Sequence, residues 1–465
     1  MNVFLAGAQR AGIAEKSVFI VAAFATLAAG IIPHPAFAQD LLTLAEAQRR
    51  AVAHSSQLLG RDAAAAAARE MAIAAGQLPD PVLGFGIDSL PVTSSDRFSL
   101  SRDNFTQRRI ALSQELTRGD KRQLRSARYE REVEKRELEK AANIAAIQRD
   151  TALAWFDRWY AEAMALAIGE QIAAARLEVS GADAAWRGGR GSLVDVLAAR
   201  SGVSMLEDRA GEIERRVRNA RTALVRWTGD EAVAHDNARD TARATRLAAP
   251  PTVDTLRLPR EQFDAALASH PEIAMLDKGA EVADTEARLA NANRRPDWSV
   301  QLSLGVREPA FSNFLSIGVS VPLQWDRAHR QDRELSAKLA LSEQARAERE
   351  EAFRARRAEV ATALADWDTA RERRTRYERE LLPIAAERIE AARAAYRGGK
   401  GSLADVLAAR RAAIETRLAV LQIEQDAARA WVQLSYLIPD GRANRAAEPD
   451  SAIAPAARAV TKETK

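Results

Sequence analysis

The chain contains no cysteine in 465 residues, which excludes a disulfide framework, a thiolate metal site and an amino-terminal cysteine that could carry lipid. Aromatic residues make up only 5%, too few for the dense aromatic core of a compact enzyme. The five His, among them His34, and the five Met, including Met1, are scattered without ligand spacing, so no metal site and no cofactor are expected. No nucleophile elbow, phosphate loop or metalloprotease helix occurs, and an enzyme is the reading with least support. Past residue 38 no stretch offers 18 consecutive apolar residues, which rules out a helical membrane span. Large charge of one sign is missing too: the formal net charge is +4, which argues against a nucleic acid or other polyanion as partner.

What is present begins with a leader. Arg10 and Lys16 precede an apolar run from Val18 to Ile32 and the small-residue stretch Ala36 to Ala38, the layout of a secretory signal over residues 1–38. Cleavage after Ala38 would leave a mature net charge of +3, 66 basic residues against 63 acidic ones. Charged residues reach 28% and long tracts are dominated by Ala, Arg, Glu and Leu, the composition of long helices and coiled coils.

The chain is also written twice. Ala185 to Arg200 reads AWRGGRGSLVDVLAAR, and Ala395 to Arg410 reads AYRGGKGSLADVLAAR, with thirteen of sixteen positions identical at an offset of 210. Weaker echoes pair Ala53-His54 with Ser269-His270, Leu78-Pro79-Asp80 with Arg295-Pro296-Asp297, and Ile110–Leu116 with Ile317–Leu323. Two tandem structural repeats follow, over 39–235 and 260–440, with a proline-bearing linker of little helix at 236–259 and a flexible tail at 441–465. Each repeat reads as a moderate helix, two alternating segments and two long helices joined by the glycine-rich motif.

The first helix is expected from about Leu44 to Leu78, where Pro79 and Pro81 stop it. The alternating segments are Val82–Asp88, Arg109–Leu116, Trp298–Val306 and Phe314–Val321, with Val300, Leu302, Leu304 and Val306 on one face. Long helices are expected from about Leu124 to Arg187 and Leu339 to Arg397, each roughly 85 to 95 Å. Glu132 with Arg136 and Glu350 with Arg354 sit one turn apart, and charge runs such as 130–140 read as solvated faces. His54 and His270 are expected to cap or pack helix ends. Trp155, Trp159, Trp227, Trp367 and Trp431 are expected to pack, whereas Trp298 and Trp325 flank strands where a bilayer interface would lie.

Four strands are too few to close a barrel, because about eight is the smallest number known to do so. If these strands cross a membrane, several copies must pool them, since unpaired edges are not tolerated in lipid. Alternation alone leaves a second possibility open, two amphipathic hairpins packed on a helix in a soluble protein.

The order of helix, strand pair, long helix, glycine-rich tip and returning helix, twice over, resembles the TolC-like outer-membrane efflux family. So do the tip sequences Gly189 to Leu197 and Gly399 to Leu407. The post-strand segment Leu112 to Arg122 (LSQELTRGDKR) is most like the heavy-metal cation branch of that family. The resemblance implies a mainly α fold with a small β part, in which a long-helix α-barrel is continuous with a trimeric 12-stranded β-barrel, four strands per chain. It implies an outer-membrane location in a Gram-negative bacterium, reaching into the periplasm, and a passive exit duct for heavy-metal cations or other small toxic solutes. The implied partners are two further copies in a homotrimer, outer-membrane lipid, a periplasmic adaptor and an inner-membrane pump of the resistance-nodulation-division (RND) type.

The tips carry two expectations. Ser192 with Asp195, and Ser402 with Asp405, match capping boxes that open the returning helices. The resemblance also places Asp405, and with it Asp195, at the closed periplasmic mouth, where three copies would form an acidic ring favouring cations. This chain departs from the family's drug exporter in having Ala408 where a second acidic residue would stand, which weakens such a ring. Arg187, Gly188, Gly189, Arg190, Gly191 and Ser192, with Arg397, Gly398, Gly399, Lys400, Gly401 and Ser402, are the expected adaptor-docking loops. Two other readings stand beside this one: the exit duct of a drug or type I secretion system, and a periplasmic coiled-coil scaffold or adaptor.

Overall fold

The computed structural model describes residues 41–229, 246–256 and 258–437; the leader and the tail lie outside them. The element order repeats. In the first half, α1 (Leu44–His54) and α2 (Ser56–Ala75) lead to β1 (Val82–Asp88) and β2 (Gln107–Leu116), then α3 (Gly119–Arg187) and α4 (Leu193–Thr228). In the second, α5 (Phe263–Ala268) and α6 (Pro271–Ala292) lead to β3 (Trp298–Val306) and β4 (Phe314–Ser320), then α7 (Gln331–Arg376), α8 (Leu382–Arg397) and α9 (Leu403–Leu437).

The strands fall where alternation put them, within two residues at each end. The long helices begin earlier than expected, at Gly119 and Gln331 rather than about Leu124 and Leu339, and the helical path is broken in two places. The expected single helix from Leu44 to Leu78 is two, separated by Ser55 in an extended conformation (φ −74°, ψ 107°); the run His54-Ser55-Ser56 has little helix propensity to carry the backbone across. The helix expected unbroken to Arg397 is interrupted by a π-turn at Tyr377–Leu381, where the Leu382 N–H bonds to the Tyr377 carbonyl. Pro383 is the cause, because its ring would clash with a carbonyl four residues back and it has no N–H to give, and the wider turn accommodates both. At 69 residues, α3 runs roughly 100 Å.

A helix of that length is held laterally. Small side chains let α2 lie close to α3: Ala65, Ala68 and Ala72 are buried, and Ser126 Oγ donates to the Ala72 carbonyl at 2.9 Å. Ion pairs dress the outer faces. Glu132 and Arg136 meet at 2.6 Å as expected, whereas Glu350 and Arg354 do not pair with each other and bond Arg349 and Glu351 instead.

Midway along the bundle sits the main core. Trp155 and Phe156 pack edge to face with centroids 5.3 Å apart, and Trp431 meets Phe156 in the same manner. Buried indoles still need a partner for their N–H, and backbone carbonyls just before α1 and in the connection between repeats supply it. Trp155 Nε1 donates to the Leu42 carbonyl (3.1 Å), Trp367 Nε1 to that of Val253 (2.9 Å) and Trp431 Nε1 to that of Thr255 (3.0 Å). Leu42 and Leu247 form a parallel bridge. The described part of the linker, 246–256, is thus a belt pinned across the helices by two tryptophans, Trp367 and Trp431, and by its bridge to Leu42. Trp159 and Trp227 pack at the edge of this core.

Both histidines sit at helix ends. His270 caps α6, its Nδ1 accepting from the Glu272 N–H at 3.2 Å while Nε2 lies 3.2 Å from the Tyr436 carbonyl. That pairing requires the neutral ring with its proton on Nε2, and burial holds this imidazole below its usual range. The His54 ring lies against Gly229, whose left-handed φ of 68° ends α4.

The four strands form one antiparallel sheet in the order β1-β2-β3-β4. The two repeats meet at β2 and β3, where Ile110 opposes Leu304 and Leu112 opposes Leu302. The β1–β2 connection, 89–106, is far longer than the β3–β4 connection, 307–313; the Arg307 guanidinium ties them by donating to the Asn104 carbonyl at 2.7 Å.

Candidate channel wall and hairpin tips

Register decides what the sheet can do. Leu83 and Phe85 of β1 align with Leu112 and Ile110 of β2, then with Leu302 and Leu304 of β3, then with Ile317 and Leu315 of β4, while Ile87 lies opposite Arg108 at the end of the sheet away from the helices. All these side chains share one face. The opposite face carries Gly84, Gly86, Arg109, Ser113, Gln301, Ser303, Ser316 and Gly318, which are polar or small. Ordinarily the apolar face of a sheet is the buried one. Here it is open: Phe85 and Ile317 are each 74% exposed, and no helix among the described residues covers them.

The edges are open as well, since β1 and β4 each pair on one side only. From Trp298 to Val306 the apolar face extends about 26 Å along the strand, comparable with the roughly 25 Å lipid-facing band of outer-membrane barrels. Trp298 and Trp325 stand exposed at the helical end of this band. No helix among the described residues is long and apolar enough to cross a membrane.

A buried junction joins sheet to helix. Lys121, in the first turn of α3, donates from Nζ to the Arg295 carbonyl (2.6 Å) and pairs with Asp297 Oδ2 (2.8 Å), while the Arg118 N–H donates to Asp297 Oδ1 (3.0 Å). The post-strand segment therefore has a structural task, clamping the start of α3 to the strand of the other repeat. Nothing local in the sequence announces Asp297 as the partner, although its Arg-Pro-Asp setting echoes Leu78-Pro79-Asp80.

At the far end of the helices are the two tips. Gly189 (φ 69°) and Gly399 (φ 67°) take the left-handed conformation that a helix stop of this kind requires. Both tips close in the same way: Arg190 N–H donates to the Ala185 carbonyl and Gly189 N–H to that of Trp186, and Lys400 and Gly399 repeat this onto Ala395 and Tyr396. Each returning helix then opens on a capping box. Asp195 N–H donates to Ser192 Oγ (3.1 Å) and Ser192 N–H to Asp195 Oδ2 (3.1 Å); Asp405 and Ser402 do the same at 3.2 and 3.0 Å. The bonds from Ser402 hold the Asp405 carboxyl below its ordinary range, so it is charged at neutral pH. The expected tip residues are thus gathered into two near-identical turns, with Asp405 exposed.

Within the chain the tips touch. Leu403 and Val406 pack on Ala182, Val196 and Ala199. Beside them Glu178 of α3 and Arg410 of α9 form an ion pair at 2.5 Å, with side chains 14% and 22% exposed; burial pushes the Glu178 carboxyl up, against the pull of Arg410. This pair escaped the sequence reading, because residues so far apart in the chain leave no local signal. Among the described residues, no three His, Asp or Glu side chains gather into a set that could hold a metal ion.

The geometry is that of an amphipathic sheet with two open edges, mounted on a long helical stalk. The family model described as outer membrane efflux protein matches residues 263–438, nearly the whole second repeat. Among solved structures, CusC, in a study of transmembrane channel formation, aligns at TM-score 0.70 and 16% identity, covering 86% of this chain and 92% of that one. The outer membrane protein VceC of Vibrio cholerae gives 0.68 and 17%, covering 85% and 95%. The CmeC outer membrane channel of Campylobacter jejuni gives 0.70 and 15%, covering 87% and 88%. No curated protein sequence matches. The resemblance to the TolC-like outer-membrane efflux family therefore holds in sequence over the second repeat and in fold over both.

Proposed function

We propose that the chain is the outer-membrane duct of a tripartite efflux system, a passive channel of three copies that pool their sheets into a 12-stranded barrel and their helices into a periplasmic tunnel. The carrying observation is the sheet with an exposed apolar face, a polar opposite face and two unpaired edges. In water that arrangement exposes apolar surface and two aggregation-prone edges; in lipid, closed upon itself by copies, it satisfies every backbone group. A periplasmic scaffold accounts for the helices and leaves this sheet without a use.

Function follows from geometry of that kind: the polar face lines the lumen and the tunnel leads from pump to exterior. The tips, 187–192 and 397–402, are the docking loops for a periplasmic adaptor linked to an RND-type pump. Asp405, charged and exposed, sets a cation preference at the mouth, moderated by Ala408. Heavy-metal cations are the cargo we favour, on the strength of the segment Leu112 to Arg122; drug export is the alternative, because a duct takes its cargo from its partners. The test is planar-bilayer recording of the detergent-purified mature protein. Stable, cation-preferring pores whose selectivity falls in Asp405→Ala are expected, whereas a monodisperse, water-soluble sample without conductance would overturn the duct.

A further inference from the structure

The internal repeat carries information about a contact that a single chain does not contain. Within the chain, repeat 1 meets repeat 2 along β2 and β3 and again at the tips. If copies join by the same rule, as the duct reading requires, β4 of one copy meets β1 of the next. The echoes Ile110/Ile317 and Leu78/Arg295 then convert the observed pairing of Ile110 with Leu304 and of Leu112 with Leu302 into Ile317 opposite Ile87 and Val319 opposite Phe85. All four lie on the apolar face, so the transferred register keeps that face continuous around the wall, a condition that a slip by one residue would violate.

The tips point the same way. Leu193 and Leu403 occupy identical positions in the two motifs, yet Leu403 is 7% exposed, seated on the first hairpin, and Leu193 is 49% exposed. What covers Leu403 is repeat 1; the counterpart for Leu193 is repeat 2 of a second copy.

The charges do not repeat. At the offset of 210, Arg410 becomes Arg200 but Glu178 becomes Arg388, and Asp183 becomes Arg393. Arg200 and Arg388 are exposed, and neither has a carboxylate partner among the described residues. We propose that the tip seam between neighbouring copies is a copy of the intrachain seam in which Arg388 faces Arg200 where Glu178 faces Arg410, so that the mouth is held apart between copies while each chain's own two hairpins stay joined. Like charges at such a position repel, whereas the intrachain pair attracts.

Charge reversal in the full-length assembled protein tests this directly, and the absence of native cysteine gives cross-linking without background. Ile87→Cys with Ile317→Cys should give an intersubunit disulfide ladder, reporting adjacency independently of the tips. Arg388→Glu and Arg200→Glu, each creating an ion pair across the seam, should lower open-channel conductance or open probability by roughly two- to fivefold. The double reversal, acid facing acid, should return it toward wild type. A ladder with single reversals that conduct like wild type, or with a double reversal that does not recover, overturns the arginine seam and leaves the duct standing. A folded, helical sample without the ladder overturns the transferred register, and the duct reading falls with it only if that sample also forms no pores.

Discussion

Replacing Lys121 with Met removes a charge from the junction between sheet and stalk while keeping most of the stem volume. The Lys121 side chain is 4% exposed and that of Asp297 16%, so the substitution strands a nearly buried carboxylate. Removing one partner of a fully buried pair costs about 3 to 5 kcal/mol. Asp297 keeps the Arg118 N–H and some contact with water, which sets the expectation at the low end, ~3 kcal/mol. The Arg295 carbonyl loses its donor as well. Because Lys121 lies in the first turn of α3, the cost should appear as local opening there. Amide exchange over 119–125 should accelerate roughly a hundredfold, at about 1.4 kcal/mol per decade, with exchange near the distant tip unchanged. Asp297→Asn in the Lys121→Met background should recover part of the loss, since a neutral amide is cheaper to bury than an unpaired charge. Exchange within a factor of two of wild type in Lys121→Met, or strictly additive effects of the two substitutions, would refute the clamp.

Two further outcomes follow from titrating groups. His270 is buried neutral with a lowered pKa, so the unfolded chain binds its proton first; stability is fully present above the unfolded pKa of about 6.5 and declines as pH falls toward the folded value. Thermal melts of wild type should drop between pH 7.5 and 5.5, and His270→Asn, which can still cap α6, should flatten that part of the profile. Asp405 acts in the same sense in a more acidic window. Its lowered pKa means that the capping contribution is present above about pH 3.8 and is lost as pH falls through the folded value, so Ser402→Ala should expose the first turn of α9 to exchange and proteolysis at neutral pH without altering the sheet.

Much of this was legible in the residues, for identifiable reasons. Strand limits could be placed because period-two alternation is local, and the tips because Gly189 and Gly399, followed by Ser and Asp at fixed spacing, encode both a helix stop and a capping box. Asp195 and Asp405 emerge as capping residues in both turns. What was not legible is tertiary. The belt at 246–256 reads as bare linker because its order comes from indole N–H groups of Trp367 and Trp431, distant in sequence. The π-turn at Tyr377 is a response to Pro383, which helical periodicity alone passes over. Lys121 with Asp297, and Glu178 with Arg410, are pairs that only the folded chain assembles.

Residues 89–106 and 307–313 lie at the end of the sheet opposite the stalk, so a closed wall of three copies would present three broad loops alternating with three narrow ones, braced by Arg307. The tips, built from near-identical turns, approach sixfold sameness; the outer rim has only threefold. A cell's surroundings would therefore meet the less regular end of the molecule, and the broad loops, free of any packing duty in the stalk, are where a grafted peptide epitope would be carried with least disturbance to the pore.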